Sequence, residues 1–341
     1  MIKIQIRANM CYCFAIMRIN DLLKQASKKI DRKEATLLLA NVIRKDEAYI
    51  LAHADRDADD KAEAKFNTSV NERANNKPIA YILGKQPFCG LEFKVNKHTL
   101  IPRPETEQLV HLVTANINKY LRSDSTRAAR RANERNKIVE SVKGESRDEK
   151  NRKLNKVVII DIGTGSGCIA CSLKKQFETA TVIAGDISPA ALSVVKHNDK
   201  KLSTGIKVIH SDLFSGALRQ IAANSLKKLK RADLHIIANL PYLPCSDRND
   251  MQKDVVDYEP SNALFADDDG MELIKKCMKQ LFDFLYPHSP FKISWTLYFE
   301  IDPRQKYFLR SYAKSIFNKS QIQVKKDLSG RDRFIIISNR G

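Results

Sequence analysis

From Val157 onward the chain alternates short apolar runs with helical patterns, and this alternation restricts the fold more than any other feature of the sequence. Val157-Val-Ile-Ile160 is apolar throughout and has the length of a strand. Thr181-Val-Ile-Ala184, Ile206 to Ile209 and Leu234 to Ala238 repeat the pattern. Strands that are apolar on both faces belong to a parallel sheet covered by helices on both sides. A later strand is expected over Ile293 to Ile301. Ile322-Gln-Val-Lys-Lys-Asp327 and Arg333-Phe-Ile-Ile-Ile-Ser338 then read as a hairpin around Leu328-Ser-Gly-Arg331. The expected domain is an open α/β sheet, mostly parallel, finished by an antiparallel hairpin.

The 341 residues leave room for a second domain. Residues 18–84 read as a small all-helical one. Leu22, Leu23, Ala26 and Ile30 share one helical face, as do Leu37, Leu38, Val42 and Ile43. Asn20 or Asp21 is the expected cap of the first helix. Asp31 is the expected cap of the second, with Glu34 completing a capping box. Residues 85–104 change character: Leu91-Glu-Phe-Lys-Val95 alternates with period two, which predicts a hairpin hinge. Pro102 and Pro104 stiffen the entry to a helix expected over Glu105 to Tyr120, within the α/β domain at 105–341.

Residues 122–156 carry 12 basic and 6 acidic residues and few large apolar ones. Such a run cannot bury enough surface to offset its ordering entropy. The expectation is a disordered insertion or an extension of the preceding helix. The alternative is a basic arm with weak contact to RNA or the ribosome. Residues 1–17 read as a loose extension. Its apolar run, Met10 to Met17, lacks a small-residue cleavage site, and Met17 is a candidate start.

The net charge of +19 suits RNA, the ribosome or an acidic protein as partner, or serves only solubility. No apolar run reaches the length of about 18 residues that a membrane span requires. Seven scattered cysteines fit a reducing cytoplasm. Cys168 and Cys171 form a C-x-x-C without a second ligand pair, and small buried helix residues are expected there. The histidines show no metal spacing. A cytoplasmic monomer without metal is expected.

Three acidic residues end three successive expected strands: Asp161, Asp186 and Asp212. Ligands of open α/β sheets sit at the carboxyl ends of strands. Between the first two lies the loop Asp161-Ile-Gly163-Thr164-Gly165-Ser166-Gly167. It departs from the G-x-G-x-x-G of dehydrogenases and lacks the Gly-Lys-Ser/Thr of a phosphate-binding loop. D-x-G-x-G-x-G is the form expected for S-adenosyl-L-methionine, in the fold of a class I S-adenosylmethionine-dependent methyltransferase. Asp186 can accept from both ribose hydroxyls. Asp212, in Ser-Asp-Leu213-Phe, can accept from the adenine amine.

Asn239-Leu240-Pro241-Tyr242 follows the loop by about 75 residues. Asn239 supplies a side-chain carbonyl that accepts a hydrogen from an NH2 group. Pro241 forces Leu240 into an extended conformation, which points a backbone carbonyl at the same place. Tyr242 offers a flat face for stacking. Together these residues can present a planar amide or amine to a methyl donor.

Lys77-Pro-Ile-Ala-Tyr-Ile-Leu-Gly84, Phe93, Leu100-Ile-Pro-Arg-Pro-Glu-Thr-Glu107, Tyr258-Glu-Pro260, Ala263-Leu264 and Asp269-Gly270 complete the pattern. With them the chain resembles the release-factor glutamine methyltransferases, the HemK/PrmC family, over nearly all of its length after Met17. The resemblance implies a helical domain that docks on a peptide chain release factor, a hairpin hinge, and a domain that methylates the glutamine of a Gly-Gly-Gln loop. It implies that Gly163 to Gly167, Asp186 and Leu213 with its neighbours contact the cofactor. Asn239 to Tyr242 would hold the glutamine, with Asn239 also beside the cofactor.

Three departures stand out. The family usually has Asn-Pro-Pro-Tyr, and here Leu240 replaces the first proline. Leu213 stands where an aromatic residue is frequent. The 122–156 segment exceeds what its connection needs. Asn-Leu-Pro-Tyr is also similar to the ribosomal RNA adenine dimethyltransferases. Glutamine methylation of a ribosomal protein, amino methylation of nucleic acid, and a non-enzymatic RNA-binding assembly role therefore stand as alternatives.

Overall fold

A computed structural model describes residues 17–139, 157–227, 229, 232–286 and 293–339. The chain divides into two compact units, Met1–Leu83 and Gly84–Gly341.

The first unit is helical among its described residues. It contains α1 (Ile19–Ala26), α2 (Arg32–Ile43), α3 (Glu47–Ala52), α4 (Asp60–Ala74) and α5 (Ile79–Leu83). Leu22, Leu23, Leu38, Leu39, Ile50, Phe66 and Val70 form its core. Three helices start on an aspartate whose side chain accepts orphan backbone N–H groups: Asp31, Asp46 and Asp59. Two expectations are corrected. α1 begins at Ile19 behind Arg18, which makes no side-chain cap, so Asp21 lies in the first turn. There its charge favours the helix dipole. Glu34 closes no capping box, because the guanidinium of Arg73 draws its carboxylate away at 2.9 Å.

The second unit opens with β1 (Lys85–Phe88) and β2 (Leu91–Lys94), an antiparallel hairpin about Cys89-Gly90. Phe88 and Phe93 are buried from it, edge to face at 6.1 Å. α6 (Pro104–Val139) follows. The expected helix end at Tyr120 is therefore corrected to Val139. The apolar periodicity fades after Tyr120, but Ala, Arg, Glu and Lys keep helical propensity high without it. The rest of the charged segment, 140–156, lies outside the described residues, as do 1–16.

The main sheet has seven strands: β3 (Val157–Ile162), β4 (Thr181–Asp186), β5 (Lys207–His210), β6 (Ala232–Ala238), β9 (Ile293–Glu300), β10 (Gln321–Lys326) and β11 (Asp332–Ser338). Their spatial order is β10-β11-β9-β6-β3-β4-β5. β9, β6, β3, β4 and β5 are parallel, while β11 and β10 run antiparallel as the closing hairpin. This is the class I methyltransferase architecture. A shorter parallel pair, β7 (Leu243–Pro244) and β8 (Phe265–Ala266), stands apart.

Period-two alternation sends Val157 and Ile159 into one apolar cluster and Val158 and Ile160 into the other. The first cluster takes α6, α7 (Cys168–Gln176) and α8 (Pro189–Leu202). The second takes α9 (Gly216–Lys227), α13 (Glu272–Leu285) and α14 (Lys306–Ile316). Between β6 and α13 lie two one-turn helices, α10 (Lys253–Val256) and α11 (Ser261–Leu264), and a turn, α12 (Asp267–Gly270), in which Asp268 and Asp269 take left-handed φ of 54° and 52°. Cys168 and Cys171 are buried in α7, and burial pushes the Cys171 thiol up to about 12. No helix among the described residues is long and apolar enough to cross a membrane.

Chain order fixes where a ligand can enter. β3 leads to β4 and β5 on one side, whereas β6 and β9 lie on the other. The order of strand addition reverses between β3 and β6, which stay paired to Ile162 and Ala238, so the connections beyond their carboxyl ends part to opposite faces and leave a crevice. The glycine loop leaves β3 there, and Asn239 leaves β6.

Candidate active site

Asp161 is buried one residue before the end of β3, and burial pushes its carboxyl up to about 7. The Thr164 hydroxyl donates to Asp161 Oδ2 at 2.6 Å, so Thr164 serves the loop from within. Gly163 N and Thr164 N both donate to the Gly185 carbonyl, at 2.9 and 3.0 Å, and tie the loop to the end of β4. Ser166 is buried. Gly163, Gly165 and Gly167 all have positive φ, where a side chain is strained. A Cβ built on Gly165 meets nothing within 4 Å, so the loop faces open space at that point.

Asp186 braces the same loop. Its Oδ2 accepts from Gly165 N and its Oδ1 from Ser188 N, both at 2.9 Å. A carboxylate has about four lone-pair sites, so two remain for vicinal hydroxyls.

Asp212 is exposed, and its Oδ2 pairs with Lys276 Nζ at 2.8 Å. Leu213 takes a positive φ of 49° and is buried in the apolar cluster with Leu218. The Ser211 hydroxyl bonds the Leu213 carbonyl at 2.9 Å and pins this turn.

Asn239 follows β6 and is half-buried. Its Nδ2 donates to Thr106 Oγ1 at 3.1 Å. The Leu240 side chain is buried, and a Cβ on Gly163 would stand 2.9 Å from Leu240 Cδ2. Leu240 therefore fills the space under the glycine loop, and a larger residue at 163 would collide with it. Pro241 is half-buried. The Tyr242 hydroxyl donates to Glu300 Oε1 at 3.3 Å. Burial and the nearby Glu300 carboxylate push the Tyr242 phenol above its ordinary pKa, so it acts as a donor and not as a base.

Around this tetrapeptide stand residues that the sequence marked only as parts of motifs, or not at all. Thr106 donates to Glu300 Oε2 at 3.0 Å. Glu300, at the end of β9, is buried, and desolvation pushes its carboxyl up to about 7. Gln305 Nε2 donates to the Tyr242 carbonyl at 2.7 Å and to the Asp269 carbonyl at 2.8 Å. Glu259 is buried; it pairs with the Arg103 guanidinium and accepts from Ile101 N at 3.0 Å. The 100–107 and 258–260 segments, separate in sequence, thus clasp each other.

Comparison with known proteins agrees with this geometry. Residues 15–84 match the model of the PrmC N-terminal domain, and residues 148–223 match the methyltransferase small domain. A release factor glutamine methyltransferase of Koribacter versatilis is 31% identical over 265 residues, covering 78% of this chain and 79% of the relative. The chain belongs to the release factor glutamine methyltransferase family. Another family member, from Enterococcus faecalis, is 30% identical and covers 85% of this chain and 86% of the relative. A bifunctional methyltransferase of Rickettsia felis is 31% identical over 94% of this chain, yet the chain spans only 58% of that relative's length.

Asp186 offers a direct check on the cofactor site. We predict that Asp186→Ala raises the dissociation constant for S-adenosylmethionine at least tenfold, or about 1.4 kcal/mol. Two charge-assisted hydrogen bonds would be lost, and Gly165 N would lose its acceptor. Calorimetric titration measures this, and an unchanged constant would place the ribose elsewhere.

Proposed function

We propose that this chain transfers a methyl group from S-adenosyl-L-methionine to the side-chain amide nitrogen of the glutamine in the Gly-Gly-Gln loop of a peptide chain release factor. The observation that carries this reading is the placement of Asn239. It stands at the carboxyl end of β6, across the sheet's reversal point from the glycine loop, with its NH2 occupied by Thr106. The residues present fit the cofactor: Gly165 borders open space, and Asp186 keeps acceptor capacity.

When bound, the cofactor would supply a methyl group activated by the sulfonium charge. The chain's own residues have to orient the other reactant. A glutamine amide nitrogen is a poor nucleophile, because its lone pair is delocalised into the carbonyl. Asn239 Oδ1 and the Leu240 carbonyl would accept its two hydrogens, draw charge onto nitrogen and aim the lone pair. The Tyr242 ring would support the flat amide. The work is orientation and electrostatic preorganisation, with no strong base required: the nitrogen that gains the methyl group loses one of its hydrogens as a proton to water. Leu240 in place of proline keeps the carbonyl, and its buried side chain holds the backbone where it is.

The deciding test uses methyl-labelled S-adenosylmethionine. The protein is expected to label a release factor, and replacement of the Gly-Gly-Gln glutamine by alanine is expected to abolish labelling. Label on a ribosomal protein or on RNA, with none on the release factor, would overturn the substrate assignment.

The first unit carries none of these site residues, and we assign it the docking of the release factor. A chain starting at Gly84 is then expected to keep the cofactor affinity of the full protein and lose methylation of intact release factor. Undiminished methylation by that truncated chain would remove the docking role.

A further inference from the structure

We propose that Thr106 and Glu300 set the direction of the Asn239 side-chain amide, so that its oxygen and not its NH2 is left for the substrate. The proposal deepens the methyl-transfer reading above and rests on it for its kinetic consequences. Its structural content rests on hydrogen counting around an ionised Glu300.

An ionised Glu300 has no hydrogen to give, so both of its neighbours must donate to it. Tyr242 Oη does so to Oε1 at 3.3 Å, and Thr106 Oγ1 to Oε2 at 3.0 Å. A threonine hydroxyl has one hydrogen. Once it is committed to Glu300, Thr106 can only accept from Asn239, 3.1 Å away. Only the NH2 end of an asparagine can donate. Asn239 Oδ1 is thereby the end turned away from Thr106.

The converse arrangement shows what the carboxylate does. A protonated Glu300 could donate to Thr106, freeing the threonine hydrogen for Asn239 Oδ1. The asparagine would then present NH2 to a substrate that also presents NH2, and donor would face donor. The direction of one carboxylate-to-hydroxyl bond therefore decides whether the site accepts or repels an amide. Thr106 and Glu300 touch no reacting atom in this scheme, and both are positioning residues.

Several groups bear on the charge of Glu300. Arg333 on β11 favours the carboxylate, as do the donors Thr106 on α6 and Tyr242 after β6, while Glu105 on α6 opposes it. Burial dominates and brings the carboxyl to about 7. The carboxylate is the required form, so the rate should fall as pH falls through that value.

Thr106→Val keeps the shape and removes the acceptor, while Thr106→Ser keeps the acceptor. The Val variant is expected to lose at least tenfold in single-turnover rate with unchanged cofactor affinity, and the Ser variant to recover most of the loss. A Val variant at the wild-type rate, or a Ser variant as slow as Val, overturns the proposal. The wild-type rate is expected to fall about tenfold per pH unit below the Glu300 pKa. Glu300→Gln should flatten that limb, and an unaltered limb in the Gln variant also overturns it. A readout free of substrate uses protein labelled with ¹⁵N-asparagine. The Asn239 side-chain NH2, identified by its loss in Asn239→Asp, should exchange slowly in wild type and quickly in Thr106→Val. Equal exchange in both overturns the proposal even if the release factor proves not to be the substrate, whereas absent labelling of the factor by wild type counts only against the substrate assignment.

Discussion

Asn239→Ala is expected to slow methyl transfer by about 10²–10³-fold, the usual loss when one preorganised hydrogen-bonding group at a developing charge is removed. Cofactor affinity is expected to stay almost unchanged. The reason lies in how the two halves of the site are held. The glycine loop is fixed by Gly185, Asp186 and Thr164, and none of those bonds passes through Asn239. Thr106 also keeps its bond to Glu300 when Asn239 is truncated, so the surrounding network survives. Both kcat and kcat/KM should therefore drop together, the pattern of a contact that matters most in the transition state. Calorimetry with the cofactor and single-turnover labelling of the release factor separate the two effects. Near-normal turnover would remove Asn239 from the chemistry. A large loss of cofactor affinity would make it a cofactor ligand first.

The elements legible in the sequence were those written in contiguous residues. Val157 to Ile160 reads as a strand buried on both faces because each side is packed by helices, and the same holds for Leu234 to Ala238. The closing hairpin announced itself through its turn residues, and Asp31 through its place before an apolar helix. What stayed illegible depends on partners far away in the chain. Thr106 and Glu300 meet across 194 positions, and Arg103 and Glu259 across 156. No local pattern carries that information, although Thr106 and Glu259 sit inside segments that the family resemblance had marked. The Glu34 capping box failed for the same reason: Arg73, 39 positions on, competes for the carboxylate. The extent of α6 failed differently. Its apolar stripe fades near Tyr120, but the Ala, Arg, Glu and Lys that follow keep helical propensity high. The role of Leu240 was half legible. Its backbone carbonyl could be inferred from Pro241, whereas its side-chain packing beneath Gly163 could not.

Gly270→Ala should be as damaging as a change in the tetrapeptide itself, although residue 270 offers no functional group. Gly270 has φ +79°, and an added Cβ would stand 2.0 Å from the Tyr242 carbonyl oxygen, 2.6 Å from the carbonyl carbon and 2.7 Å from Gln305 Nε2. The first two are backbone atoms and cannot swing away. Gln305 is committed as well, since its amide holds the Tyr242 and Asp269 carbonyls together. The substitution must therefore push Asn239-Leu-Pro-Tyr242 out of place or break the Gln305 bridge. Backbone strain alone costs about 1–3 kcal/mol at such a position. Displacement of a reacting group by about 1 Å can cost 10²-fold in rate. The expected result is a lowered melting temperature and a rate of methyl transfer reduced at least 10²-fold. Cofactor affinity should be nearly retained, because the glycine loop is held by Gly185, Asp186 and the Thr164–Asp161 bond, none of which involves Tyr242 or Gln305. That retention distinguishes a misplaced acceptor from an unfolded protein. Gln305→Ala provides the companion measurement: it removes the bridge without adding a clash, so its rate should lie between wild type and Gly270→Ala. A Gly270→Ala protein with wild-type rate would mean that the backbone at Tyr242 tolerates displacement, and the acceptor geometry would then not be what limits the reaction.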